Sequence, residues 1–250
     1  MDLKAFGELD YRVMAHVFAS SKELGRLADE NIYQADIAAR LREESLRVGR
    51  EVPPVASFGS FLKHYYLDIV AGSGGVYELK TASKLTLQHQ GRLMNYLLML
   101  GLRHGKVVNL RTASVESRFV NSSVTHSLRH KFDVVSQHWK GCDKIRETVI
   151  ELIHDWGVGL EVPLYHQAIV HLLGGEELTT RQLPLIRDGV SLGSQRFHLM
   201  DDHAAFRVTA YEQPSHGLAQ EIARLIRFSP LRQMHWINIS RSQLLFTSLL

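Results

Sequence analysis

The chain has 250 residues, 45% of them hydrophobic and 22% charged, enough apolar sequence to bury one large core or two small ones and too much for a disordered or fibrous protein. A single cysteine, Cys142, can form neither an internal disulfide nor a zinc cluster, which argues against redox and structural-zinc functions. The formal net charge is +3, all of the excess lying in the first 125 residues, while ten of the 14 histidines lie in the remainder. This permits a polyanionic partner and predicts a division of labour between the halves.

No apolar run approaches the ~18 residues of a membrane span. The opening Met1-Asp2-Leu3-Lys4-Ala5-Phe6-Gly7-Glu8 lacks a basic-then-apolar layout. The expectation is a soluble, unexported, cytoplasmic protein with no membrane partner.

Leu9, Val13, Met14, Val17 and Phe18 recur at helical spacing and predict a first helix to Glu23, stopped by Gly25. A second helix is expected over Glu30–Arg47, with Ile32, Ile37, Ala38, Leu41 and Leu46 inward; Pro53-Pro54 blocks its continuation. Phe61–Val70 and Val76–Leu79 are aromatic and β-branched and flank Ala71-Gly72-Ser73-Gly74-Gly75, a hairpin signature. A helix over Leu85–Leu102 and a short buried strand over Lys106–Leu110 complete the first half. Residues 122–140, with weak periodicity and several basic side chains, read as a basic connector.

The order then repeats: helix Ile145–Trp156, the corner Gly157-Val158-Gly159, helix Tyr165–Leu173, strands Gln182–Ile186, Gln195–Met200 and Ala205–Tyr211, helix Leu218–Phe228 and strand His235–Ile239. Tyr33 matches Tyr165, Val52-Pro53 matches Leu183-Pro184 and Asn109 matches Asn238, at nearly constant offset. A duplicated unit of roughly 115 residues is inferred.

Asp68 ends one strand of the first half, and Glu78-Leu79-Lys80 lies on its hairpin partner. Alternation along a strand turns Glu78 and Lys80 to one side, and the hairpin brings Asp68 close. Converging carboxylates repel unless a cation lies between them, and hard oxygens favour Mg²⁺ or Mn²⁺. With two carboxylates beside it Lys80 stays protonated, a group for stabilising charge on a phosphate rather than a general base. Alone, such a triplet reads first as a surface ion pair on a hairpin.

Read in order, Glu8-Leu9-Asp10-Tyr11, Leu24-Gly25, Glu30, Tyr33, Val52-Pro53, Asp68, Glu78-Leu79-Lys80, His89, Tyr96-Leu97 and Val108-Asn109-Leu110 resemble the GxxExxY family, a branch of the PD-(D/E)XK nuclease superfamily. The resemblance implies that Glu30 is the helix-borne acid, Asp68 the strand aspartate and Glu78 and Lys80 the E-x-K pair. The family usually has a second glycine where this chain has Leu27, and a helical glutamine where it has Arg92. Arg92 either clamps a phosphate or pairs with Glu78 or Asp68 and displaces the metal.

In the second half Gly157, Gly159 and Tyr165 keep the family frame, but Val162 takes the glutamate's place, His198 is expected in that of the aspartate, and Arg207 and Thr209 in those of E-x-K. No ligand set for a divalent cation remains there. Gly72-Ser73-Gly74-Gly75 reads as a tight turn, not a phosphate loop. Asp201-Asp202-His203 reads as a turn, His126, His130 and His138 as solvated or phosphate-facing, and the tryptophans as packing residues.

The expected fold is α/β: two tandem PD-(D/E)XK nuclease-like units, each a central mixed sheet flanked by helices, the second degenerate. Residues 1–121 are the nuclease-like unit, 122–140 the connector and 141–250 the degenerate unit. The function this implies is hydrolysis of nucleic-acid phosphodiesters, DNA in preference to RNA, with Mg²⁺ or Mn²⁺. Glu30, Asp68, Glu78 and Lys80 are the catalytic set, the three acids its metal ligands, and Arg92, Tyr96 and Arg207 contact nucleic acid. The competing expectation is an inactive nucleic-acid-binding or assembly module; a homo-oligomer or larger complex stays open.

Overall fold

The computed structural model describes residues 1–213 and 216–250, which divide into two compact α/β units. One comprises residues 1–57 and 62–125, the other residues 58–61 and 126–250. Among the described residues no helix is long and apolar enough to cross a membrane.

The first unit opens with helices α1 (Leu3–Leu24) and α2 (Glu30–Glu43). Asp2 caps α1 through the Ala5 N–H, and Gly25, at φ 72°, ends it in a conformation that costs glycine little. Strands β1 (Val48–Val52), β2 (Val55–Phe58), β3 (Phe61–His64), β4 (Leu67–Ala71) and β5 (Gly75–Lys80) follow, then helix α3 (Leu87–Leu100) and strands β6 (His104–Asn109) and β7 (Glu116–Asn121). The main sheet has the order β1-β4-β5-β6-β7, with β2 and β3 as a separate ribbon. Only β5 and β6 are parallel, with Lys80 opposite Asn109.

One face of this sheet is covered by α1 and α2. Phe6, Leu9, Val13, Val17, Tyr33, Ile37 and Leu41 pack there against Ile69, Ala71, Tyr77, Leu79 and Val108. Truncating a fully buried residue such as Leu79 to alanine costs about 2–5 kcal/mol. Because side chains alternate, Asp68, Glu78 and Lys80 turn to the other face, where α3 packs against β5, β6 and β7. Beneath α1, Lys106 Nζ meets Asp10 Oδ2 at 2.5 Å, a buried ion pair.

The second unit contains helix α4 (His126–Arg129), strand β8 (Asp133–Gln137), helices α5 (Asp143–Trp156), α6 (Val162–Leu172) and α7 (Glu176–Thr179), strands β9 (Thr180–Arg187), β10 (Val190–Asp201) and β11 (Ala204–Thr209), helix α8 (His216–Arg227) and strands β12 (Gln233–Ile239) and β13 (Gln243–Leu249). Its sheet has the order β8-β13-β12-β11-β10-β9. From β9 to β13 the sequence of antiparallel and parallel pairs is that of β1, β4, β5, β6 and β7, with the parallel pair again third.

The matched residues make matched bonds. Tyr33 donates its hydroxyl to the Gly25 carbonyl at 2.6 Å, and Tyr165 to that of Gly157 at 2.5 Å. Asn109 accepts from the Ala82 N–H and donates back to the Ala82 carbonyl at 2.8 Å; Asn238 does the same with Tyr211 at 2.9 Å. In both units the tyrosine ties a helix to the corner before it, and the asparagine ties β6 or β12 to the segment leaving its parallel neighbour.

Several expectations are corrected. The second helix ends at Glu43, and Val48–Val52 is a strand paired to β4. Ile32 is exposed rather than inward. Phe61–Val70 is two strands, not one, and β7 and β13 complete their sheets unforeseen. The basic connector contains α4 and β8, and β8 lies parallel to β13 at the sheet edge. His126 and His130 stack on each other with ring centres 4.0 Å apart.

Candidate active site

Strands β4 and β5 pair from Ala71 opposite Gly75 as far as Ile69 opposite Tyr77. Beyond that point the Leu79 N–H donates to Asp68 Oδ2 at 2.7 Å, so a carboxylate stands where the ladder bond would continue. Glu78, nearly inaccessible, and Lys80 follow on the same face. Glu30 begins α2, where the helix dipole favours an anion.

The four groups meet at the lysine. Its Nζ lies 3.0 Å from Glu78 Oε1, 3.1 Å from Glu30 Oε1 and 3.7 Å from Asp68 Oδ2, and it also donates to the Leu79 carbonyl. Burial works against the ammonium, but Glu78, Asp68 and Glu30 outweigh it and raise its pKa, so Lys80 is a cation here. The converse holds for Asp68: burial first, then the charge of Glu78, push its carboxyl up to about 7 against the pull of Lys80 and the Leu79 N–H.

Arg92 reaches in from α3. Its Nε donates to the Tyr96 hydroxyl at 2.6 Å and lies 3.5 Å from Glu78 Oε1, while the side chain as a whole is half exposed. Of the pairings anticipated for Arg92 the one with Glu78 is present, while the rest of the side chain faces solvent. His89 has a structural task, since it and Thr86 bond reciprocally to cap α3.

The donor set fits a divalent cation in part. Glu78 Oε2 is buried without a hydrogen-bond partner among the described residues, and Asp68 carries charge that burial opposes. These are hard oxygens with unmet demand for a cation. Among the described residues, however, no three His, Cys, Asp or Glu side chains form a group able to hold a metal ion. The three-acid ligand set expected from Glu30, Asp68 and Glu78 is therefore not assembled: Lys80 stands among the acids and takes Glu30. Mg²⁺ commonly needs only one or two carboxylates, with waters and substrate phosphate completing its shell, and Asp68 and Glu78 are two carboxylates on the same face of the sheet.

In the second unit, Asn238 lies opposite Thr209 as Asn109 lies opposite Lys80, which aligns Thr209 with Lys80, Arg207 with Glu78 and Phe206 with Tyr77. Continuing the β10–β11 register from Leu199 opposite Ala205 puts His198 at the position of Ile69 and Phe197 at that of Asp68. The expectation that His198 replaces the aspartate is overturned. Phe197 packs with Ala205 and Trp236, whereas His198 turns to the other face, its ring 4.3 Å from that of His166 and its Nδ1 3.0 Å from Thr180 Oγ1. Arg207 is exposed and has no hydrogen bond or ion pair among the described residues.

Residues 7–120 match the family model of the PD-(D/E)XK nuclease superfamily. The match covers the helices, sheet and converging acids of the first unit and stops before the second. No curated protein and no solved structure matches the chain.

Proposed function

We propose that the chain is a metal-dependent nuclease whose active site is the convergence of Asp68, Glu78 and Lys80 in the first unit. The observation that carries this reading is the meeting of these side chains, with Glu30, where β4 and β5 part, inside the segment matched to a nuclease superfamily. Nucleic acid is the substrate, DNA before RNA, and the second unit is a degenerate duplicate of the first.

Asp68 and Glu78 are the residues that would hold the cation, and Mg²⁺ or Mn²⁺ bound there would supply charge to polarise a phosphoryl oxygen and acidify a water. The Lys80 ammonium, fixed by Glu30 and Glu78, is directed at charge developing on the phosphate, and being protonated it cannot serve as the base. Tyr96 fixes Nε of Arg92, so the outer nitrogens of the guanidinium are free to engage a neighbouring phosphate. Glu30 acts through Lys80 and is a positioning residue.

One observation favours the competing reading of an inactive module. Lys80 and Arg92 both stand against Glu78 and neutralise it without a metal. Calorimetric titration of Mn²⁺ into the protein without nucleic acid separates the two. Saturable binding lost in Glu78→Gln supports the nuclease; no binding at millimolar metal supports the inactive module.

A further inference from the structure

The sheet of the second unit opens between the corresponding strands, one residue pair earlier than that of the first. Strands β10 and β11 pair only at Leu199 opposite Ala205 and Asp201 opposite Ala204, with a bulge between them. Beyond these pairs lies a cavity of about 260 Å³, whose polar lining comes from His166, Gln195, Arg196, His198 and Arg207. The rings of Phe197 and Phe206 contribute apolar wall.

The charge of this cavity is the reverse of that in the first unit. Where Asp68 and Glu78 stand, the corresponding residues are Phe197 and Arg207, so an apolar ring and a cation replace two anions. Arg196 is held by Glu176 at 2.7 Å, and Thr180 donates its hydroxyl to the same carboxylate. That leaves Arg207 without an anionic partner among the described residues.

We infer that this cavity is a phosphate-binding site, taking the phosphate through the Arg207 guanidinium with Gln195, on the same face of the sheet, as a neutral partner. A guanidinium matches two phosphate oxygens at once, and the absence of carboxylate ligands means that no cation is recruited and no bond is cut. The site holds a phosphate as the first unit is read to cleave one. The inference rests on the nuclease reading only for its preferred source of phosphate, the backbone of a nucleic acid; a free phosphate or nucleotide presents the same chemistry.

The test is binding of a fluorescent single-stranded DNA oligonucleotide, followed by anisotropy across a salt series in chelator, so that cleavage plays no part. Arg207→Gln should lower affinity about tenfold and reduce the slope of log affinity against log salt by ~0.7. Arg207→Lys, which keeps the charge, should restore most of the slope. Inorganic phosphate at constant ionic strength supplies the second arm. If it raises the melting temperature of the wild type but not of Arg207→Gln, while oligonucleotide affinity is equal in the two, the site takes free phosphate. Arg224→Gln, an arginine in a separate groove, is the control for general surface charge. Equal affinity and slope in wild type and Arg207→Gln with no effect of phosphate, or the same loss in Arg224→Gln, overturns the site. So does a loss in Arg207→Gln that Arg207→Lys does not recover and that tracks a fall in melting temperature. Failure to cleave leaves every one of these readouts intact, so this inference and the nuclease reading fail separately.

Discussion

The ammonium of Lys80 lies 3.0 Å from Glu78 Oε1, while the other oxygen of Glu78 is buried without a hydrogen-bond partner among the described residues. One half of the carboxylate is neutralised by a side chain two residues along the same strand, and the other half has a hydrogen-bonding demand that no described residue meets. Removing the lysine strands a buried charge. Lys80→Met should cost about 3–5 kcal/mol in chelator and abolish cleavage, and Mg²⁺ should recover part of the melting temperature by replacing the missing charge. A variant equally stable with and without Mg²⁺ would show that the acids do not take up metal.

Asp68 gives the site a pH signature. Its folded-state pKa, about 7, stands above the ordinary carboxylate value of 3.8, so between those values the native protein holds a proton that the unfolded chain releases. Metal-free stability should therefore fall as pH rises from about 4 to about 7, by on the order of a few kcal/mol. Asp68→Asn still accepts from the Leu79 N–H but cannot ionise, and should flatten that dependence and melt higher than wild type at pH 8. Chemical denaturation at pH 5 and pH 8 in chelator checks this; a parallel decline in the two proteins would contradict it.

Arg92 stands between binding and blocking, and kinetics separate the two. We expect Arg92→Gln to raise KM severalfold with kcat little changed, because the guanidinium holds phosphate outside the site of bond cleavage. Tyr96→Phe, which removes the acceptor at 2.6 Å from Nε, should shift KM in the same direction by less. A higher kcat in Arg92→Gln would mean that the arginine restrains the site.

Glu30 is read as acting through Lys80 and not through the metal. Glu30→Gln should lower kcat while leaving the Mg²⁺ concentration for half-maximal rate near that of the wild type, and the helix N-terminus should lose only ~0.3–1 kcal/mol. A large shift in Mg²⁺ requirement would return Glu30 to the ligand set.

Local features of this fold were legible in the sequence. The eight-residue step from Gly25 to Tyr33 repeats at Gly157 and Tyr165 because a hydroxyl must reach a carbonyl at the preceding helix corner, and that geometry needs no distant partner. Asp68, Glu78 and Lys80 were legible because a hairpin brings near what is near in sequence. Strands β1, β7 and β8 were not, since Val48-Gly49-Arg50-Glu51-Val52, Glu116-Ser117-Arg118-Phe119-Val120-Asn121 and Asp133-Val134-Val135-Ser136-Gln137 gain strand character from pairing at or near a sheet edge, not from an apolar pattern. The bulge between Leu199 and Asp201 shifts the register by one residue, and one residue reverses the face a side chain meets. That is why Phe197, and not His198, stands in the place of Asp68. The capture of Glu30 by Lys80 spans fifty residues and depends on the packing of α2 against the sheet.

The most direct test of the central claim is cleavage of a labelled DNA oligonucleotide by purified protein with Mg²⁺ or Mn²⁺, with excess chelator, and in the variants Asp68→Asn and Glu78→Gln. The account predicts metal-dependent product from the wild type, none in chelator, and none from either variant although both remain folded. Product that persists in chelator, or that both variants still form at the wild-type rate, would contradict it.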